Sequence, residues 1–167
     1  MFCRRYIKMN NSKNNKYHIL AWCIVLAWMV MIFCFSAQVA DESSETSGRI
    51  VGLILKLFGL EENTDEAELL TFIIRKGAHF TEYTILALWC INALQFTKPR
   101  YYPVIAWLIA SLYAVSDEIH QLFVEGRSCE IRDMCIDGAG ALLGVLIGII
   151  ITKNTLKRRS QNEGLGE

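Results

Sequence analysis

The sequence predicts an all-α integral membrane bundle of four transmembrane helices, with an amphipathic interfacial helix in the first outer loop. Three observations carry this expectation. Hydrophobic residues make up 53% of the 167 residues and the mean hydropathy is +0.28, above the usual soluble range. The apolar residues gather into four runs near the ~20 residues a helix needs to cross the hydrocarbon core. The charged residues stand at the ends of those runs or between them. One membrane domain over residues 19–152 follows, with an outer loop at 38–77. A basic N-terminus (1–18) and a basic tail (153–167) flank it on the cytoplasmic side.

The first run, Ile19–Ala37, follows Arg4, Arg5, Lys8, Lys13 and Lys16, an arrangement shared with signal peptides. The run is long, and Phe35-Ser36-Ala37-Gln38 offers no good small-x-small cleavage site, so it reads as a retained span. After it, the loop to Lys76 is long and acidic for a bundle connection. Within Gly48–Leu60, Arg49, Gly52, Lys56 and Gly59 share one helical face; Ile50, Val51, Ile54, Leu57 and Phe58 take the other. That pattern suits a helix lying in the outer interface, either as a connector or as a lid over a site below. Asn63, with Glu66 three residues on, is a fair cap leading through Leu69–Ile74 into the second run, Ala78–Phe96.

The third and fourth runs are Tyr101–Phe123 and Met134–Thr152, and Ser160–Glu167 reads as a frayed polar end. The formal charge is zero, with 17 basic and 17 acidic residues, which by itself argues neither for nor against nucleic acid; none is expected as a partner. The distribution is more telling. With the N-terminus inside, eleven basic residues flank the inner ends against six in the outer loops, so the positive-inside rule places both termini in the cytoplasm. The six cysteines form no zinc-type CxxC pair. Cys129 and Cys135 are the one plausible disulfide pair, but a helix starting near Arg132 sets them too far apart to bridge, and all six read as structural.

Under this topology the ionisable residues collect at the outer ends. Arg75, His79, Glu82 and Tyr83 share a face at the start of the second span. The third span ends with Ser116, Asp117, Glu118, His120 and Gln121; spacing brings Asp117 near His120 and Gln121, and stacks Ser116 on His120. Arg127 follows in the turn, and Asp133 and Asp137 open the fourth span, whose face continues as Gly140, Gly144 and Gly148. Carboxylates in a membrane span are costly, about 2.5–3.5 kcal/mol each at the centre, so they need partners or a function. A bland network would have Arg75 and Arg127 meet Glu82, Asp117, Asp133 or Asp137. The glycines read as a small-xxx-small packing surface.

Three motifs in order carry a family resemblance. Arg75-Lys-x-x-His79-Phe-x-Glu82-Tyr83, Ser116-Asp117-Glu118-x-His120-Gln121-x-Phe123-x-x-Gly126-Arg127 and Asp133-x-x-x-Asp137-x-x-Gly140 together resemble the VanZ-like (teicoplanin-resistance) family. Phe35-Ser36-x-Gln38 also fits, and Glu125 stands where a proline is common. The resemblance runs from about Ile32 to Gly148. It implies a small bacterial membrane protein, some relatives of which lower susceptibility to teicoplanin, and no agreed biochemical activity.

Two function classes follow. In the first, an outer-leaflet polar site binds a membrane lipid, a lipid-linked cell-wall precursor or a lipoglycopeptide. Arg75 and Arg127 would grip its phosphate or carboxylate and His79 and Glu82 would orient it, with no cofactor. In the second, His79, Glu82, Asp117 and His120 bind Zn²⁺ for hydrolysis of an envelope lipid or peptide, since His79 with Glu82 and Asp117 with His120 stand at i,i+3. No HExxH signature supports that enzyme. A helix–helix oligomer is compatible with either, and a transporter would need one to form a continuous path.

Overall fold

The computed structural model describes all residues except Met1, residues 59–63, Lys98 and residues 165–167. The described residues are all-helical: α1 (Phe2–Ser36), α2 (Ala40–Phe58), α3 (Thr64–Leu94), α4 (Tyr102–Gln121) and α5 (Ile131–Gly164). The helix α3 packs against all four others, and α4 also packs against α1 and α5. Two stretches, Lys16–Ser36 in α1 and Ile131–Thr155 in α5, are long and apolar enough to cross a membrane. The expected second and third spans correspond to α3 and α4, whose apolar residues share the helix with His79 and Glu82, and with Asp117, Glu118 and His120.

Several boundaries differ from expectation. The helix α1 begins at Phe2 and α5 runs on to Gly164, so both helices extend beyond the apolar runs at 19–37 and 134–152. The end expected to fray therefore stays helical through Gly164. Asn63, the expected cap, and Gly59 and Leu60 lie outside the described residues. The helix expected within Gly48–Leu60 is α2, which begins at Ala40, two turns before Gly48. Its faces also divide differently. Val51 (2% exposed) and Leu55 (5%) are buried, whereas Ile50, Leu53 and Leu57 point outward. The helix thus has two apolar stripes, and only one is spent on the protein. The cysteines Cys129 and Cys135 are free, as read from the sequence.

The helices α1 and α3 give the interior its large side chains, among them Ile32, Tyr83 and Leu86, whereas α4 and α5 meet it with small residues. In α4 the buried face is Ala106, Ala110, Ala114, Asp117, Glu118 and Gln121, while Val104, Leu108, Leu112, Val115 and Ile119 form an exposed stripe. In α5, Leu142, Leu146 and Ile150 are exposed, and Gly140, Gly144 and Gly148 face α3. A Cβ added at Gly140 would run into the Phe80 carbonyl oxygen, and one at Gly144 into that of Thr84. The glycine stripe is therefore the surface that lets α3 and α5 approach backbone to backbone, the packing role read from its spacing.

Side chains hydrogen-bond to backbone carbonyls across four of the helix pairs. Trp28 Nε1 donates to the Glu82 carbonyl (3.0 Å) between α1 and α3. The Tyr113 hydroxyl donates to the Met29 carbonyl (2.6 Å) between α4 and α1. Trp107 Nε1 donates to the Gly138 carbonyl (3.2 Å) between α4 and α5. The Thr84 hydroxyl lies 2.9 Å from the Gly140 carbonyl and 2.8 Å from that of Phe80, with one hydrogen to share between them.

Candidate functional site

One end of the bundle gathers the ionisable residues into two levels. The upper level is open. A cavity of about 200 Å³ is lined by Arg75, His79 and Glu82 of α3, Arg127 of the α4–α5 loop and Gln38 after α1, with Phe35, Ile50, Ile74 and Ala78 as apolar wall. A smaller one of about 60 Å³ shares Arg75, His79 and Arg127 and adds Lys76, Gln121, Glu130 and Asp133. Helical spacing delivers Arg75, His79 and Glu82 as expected, three and four residues apart on one face. Local backbone delivers Arg127. Gly126 has φ 73°, a region side chains with a Cβ resist, and the turn it makes sends Arg127 back over the end of α1. There Arg127 Nε donates to the Gln38 carbonyl at 3.2 Å.

The electrostatics of this level are unusual for a structural network. Neither Arg75 nor Arg127 forms a salt bridge among the described residues; Asp133 is instead ion-paired to Lys76. The bland network, in which these two arginines meet carboxylates of the second to fourth apolar runs, is therefore not formed among the described residues. One residue further round α3, Lys76 is rotated by about 100° toward α5 and takes the partner. Burial, and then the neighbouring Arg75 guanidinium, hold Arg127 below its ordinary value, against the pull of Asp117 and Glu118. Two guanidiniums therefore line one cavity with no carboxylate bound to either. His79 Nδ1 stands 3.8 Å from Glu82 Oε2, too far for a hydrogen bond, and has no other partner.

The lower level is closed. Tyr83, Asp117, Glu118, Gln121 and Asp137 are all at most 3% exposed, beside Ser36 of α1. Gln121 Nε2 donates to Ser36 Oγ at 3.1 Å and reaches Asp117 Oδ2 at 3.5 Å. The Glu130 amide donates to Glu118 Oε2 at 3.1 Å, which anchors the loop before α5. Both carboxylate oxygens of Asp137 are buried without a hydrogen-bond partner.

Two expected members stand apart. Ser116 is exposed and donates to the Tyr113 carbonyl (2.7 Å) of its own helix. His120 stacks on Phe33 with ring centroids 4.3 Å apart, within electrostatic reach of Asp117 as its spacing predicts but with no hydrogen bond to it. Among the described residues no three His, Cys, Asp or Glu side chains come together in a way that could hold a metal ion, so the zinc set His79, Glu82, Asp117 and His120 is not assembled. Sequence reasoning missed Lys76, Glu130 and Ser36 as working parts. Lys76 and Ser36 stood inside the quoted motifs and could have been taken from them; Glu130 had no signal beyond its charge.

Fold and site thus define a helical protein with closely packed helices, an apolar exterior and an ionisable centre gathered at one end. The VanZ/LLP1 family model matches residues 21–152, most of the chain including every residue of this centre, and the chain belongs to the VanZ-like family. No curated protein and no solved structure matches it.

Proposed function

We propose that this chain is a four-span bacterial membrane protein, both termini cytoplasmic, whose outer-face cavity binds the anionic group of a lipid-linked or other cell-envelope ligand and so lowers susceptibility to teicoplanin-type glycopeptides. The observation that carries the reading is the pair of guanidiniums, Arg75 and Arg127, lining one cavity without a carboxylate partner. A planar guanidinium suits bidentate contact with phosphate or carboxylate, and two of them close together are stabilised by an anion between them. The apolar wall of Phe35, Ile50 and Ile74 would accept the alkyl part of such a ligand. Four spans are supported by α4, whose large apolar residues face outward while alanines and carboxylates face inward, the arrangement expected where lipid is the solvent.

The test is expression in a susceptible Gram-positive host, with teicoplanin and vancomycin compared. Teicoplanin carries an acyl chain that anchors in the outer leaflet, at about 0.8 kcal/mol per buried CH₂, and vancomycin has none. Wild type is expected to raise tolerance to teicoplanin more than to vancomycin. Arg75→Gln and Arg127→Gln are expected to abolish the effect at normal membrane abundance. Equal protection against both drugs would refute action at the leaflet, and full activity of the double arginine variant would refute the anion site.

A further inference from the structure

The two cavities of the upper level adjoin across Arg75, His79 and Arg127, which line both, and their other walls differ in kind. The larger, about 200 Å³, is walled by Phe35, Ile50, Ile74 and Ala78. The smaller, about 60 Å³, is closed by Lys76, Gln121, Ser128, Glu130 and Asp133, with no apolar side chain among the described residues. At about 30 Å³ for a water-sized group it has room for about two.

The charges around this double cavity balance. Arg75, Lys76 and Arg127 stand against Glu82, Glu130 and Asp133, three cations and three carboxylates. Internal contacts satisfy only some of them. Lys76 pairs with Asp133 Oδ2, and Glu130 accepts from Ser128 and Arg132. On the positive side this leaves the guanidiniums of Arg75 and Arg127 without a carboxylate. On the negative side it leaves Asp133 Oδ1, buried and with no hydrogen-bond partner; Arg132 Nε, 3.9 Å away, is too distant to donate. A simple anion between the arginines would tip the lining to a negative excess and leave that oxygen unserved. A ligand that carries both signs satisfies both ends and preserves the balance.

From this arrangement we infer that the double cavity seats the head group of a glycerophospholipid bearing a primary amine. Its phosphodiester lies between Arg75 and Arg127, and its ammonium enters the small pocket and donates to Asp133 Oδ1. Its acyl part leaves along Phe35, Ile50 and Ile74. The contact at both ends separates lipids that share a phosphodiester. Phosphatidylglycerol brings a hydroxyl where the ammonium belongs. Phosphatidylcholine brings the positive charge, but its trimethylammonium has no N–H to donate and is too bulky for a pocket of about 60 Å³. A free aminoethyl phosphate has the right charges and would leave the apolar wall uncovered. The inference rests on the anion-binding reading of this cavity and adds to it the second charge.

The test is native mass spectrometry of the full chain released from neutral detergent, titrated separately with phosphatidylethanolamine, phosphatidylglycerol and phosphatidylcholine. Phosphatidylethanolamine is expected to bind about tenfold tighter than either other lipid, the factor that a hydrogen bond between charged groups supplies. O-phosphoethanolamine at equal concentration should not displace it. Asp133→Asn should bring phosphatidylethanolamine down to the level of phosphatidylglycerol. Lys76→Gln combined with Asp133→Asn removes the whole ion pair and should abolish the preference as well, so a stranded lysine cannot account for the loss. Arg75→Gln with Arg127→Gln should weaken both lipids. Equal binding of phosphatidylethanolamine and phosphatidylglycerol by wild type, with both lost in the double arginine variant, would overturn the amine contact and leave the anion site standing. A preference that survives both Asp133 variants would overturn it too, and displacement by O-phosphoethanolamine would overturn the lipid. Lipid binding indifferent to the arginines would refute the anion site and this inference with it.

Discussion

Adding a single methyl group to α5 tests whether the polar centre depends on the close approach of α3 and α5. At Gly144 a Cβ would lie under 3.0 Å from the Thr84 carbonyl oxygen and 3.0 Å from the Ala87 Cβ, where ordinary contact begins at 3.4 Å. Thr84 O belongs to a helix backbone and cannot rotate aside, so Gly144→Ala forces the two helices apart by at least several tenths of an ångström. Overpacking of this kind costs about 1–3 kcal/mol. The same movement pulls Asp133 and Gly140 away from Lys76 and Thr84, which loosens the ionisable end as well. Gly77→Ala is the matched control. Nothing lies within 4 Å of a Cβ there, so the substitution should gain about 0.5–1 kcal/mol of helix propensity. The assay is reversible unfolding in mixed micelles followed by circular dichroism; the propensity gain is common to both variants, so Gly144→Ala is expected to lie about 1–3 kcal/mol below Gly77→Ala. Equal stability of the two variants would refute the close-approach argument and release the glycine stripe from its packing role.

The Lys76–Asp133 ion pair has both side chains only 13% exposed. Lys76→Gln should therefore cost about 2–3 kcal/mol, and Asp133→Asn in the same chain should restore most of it; purely additive losses in the double-mutant cycle would show the pair to be incidental. Asp137 has two buried oxygens without partners. Asp137→Asn is accordingly expected to unfold no earlier than wild type, and a loss above about 2 kcal/mol would reveal a partner for the carboxylate. Topology is read with a membrane-impermeant thiol reagent on intact cells, which should label a Cys129-only variant and spare a Cys3-only variant. The reverse pattern would place the ionisable end in the cytoplasm.

Helix content and the family were legible because they depend on local pattern. Apolar run length, the i, i+3 and i+4 spacing of Arg75, His79 and Glu82, and the glycine interval in α5 all survive as fold features. What could not be read was helix rotation. Asp117 and Ser116 are adjacent in sequence, yet one is buried and the other faces outward with Val115 and Ile119, because successive residues differ by about 100° around the axis. The same quarter turn hands Asp133 to Lys76 in place of Arg75. The division of α2 was misread for a related reason. Both of its stripes are apolar, and which of them meets α3 is decided by the partner surface.

The hydrogen bonds from Trp28, Tyr113, Trp107 and Thr84 to carbonyls of neighbouring helices have a mechanical consequence. Helices faced with alanine and glycine are smooth rods, and smooth rods slide along one another at little cost. Each of these four side chains acts as a detent on a different pair, and together they close a loop around α1, α3, α5 and α4. Slippage of one rod by a single notch would then have to release two detents at once. The bundle can exchange its outward leucines and isoleucines freely and still keep Arg75, Arg127 and Gln38 at the same height, since vertical alignment is set by the catches and not by the grease between the rods.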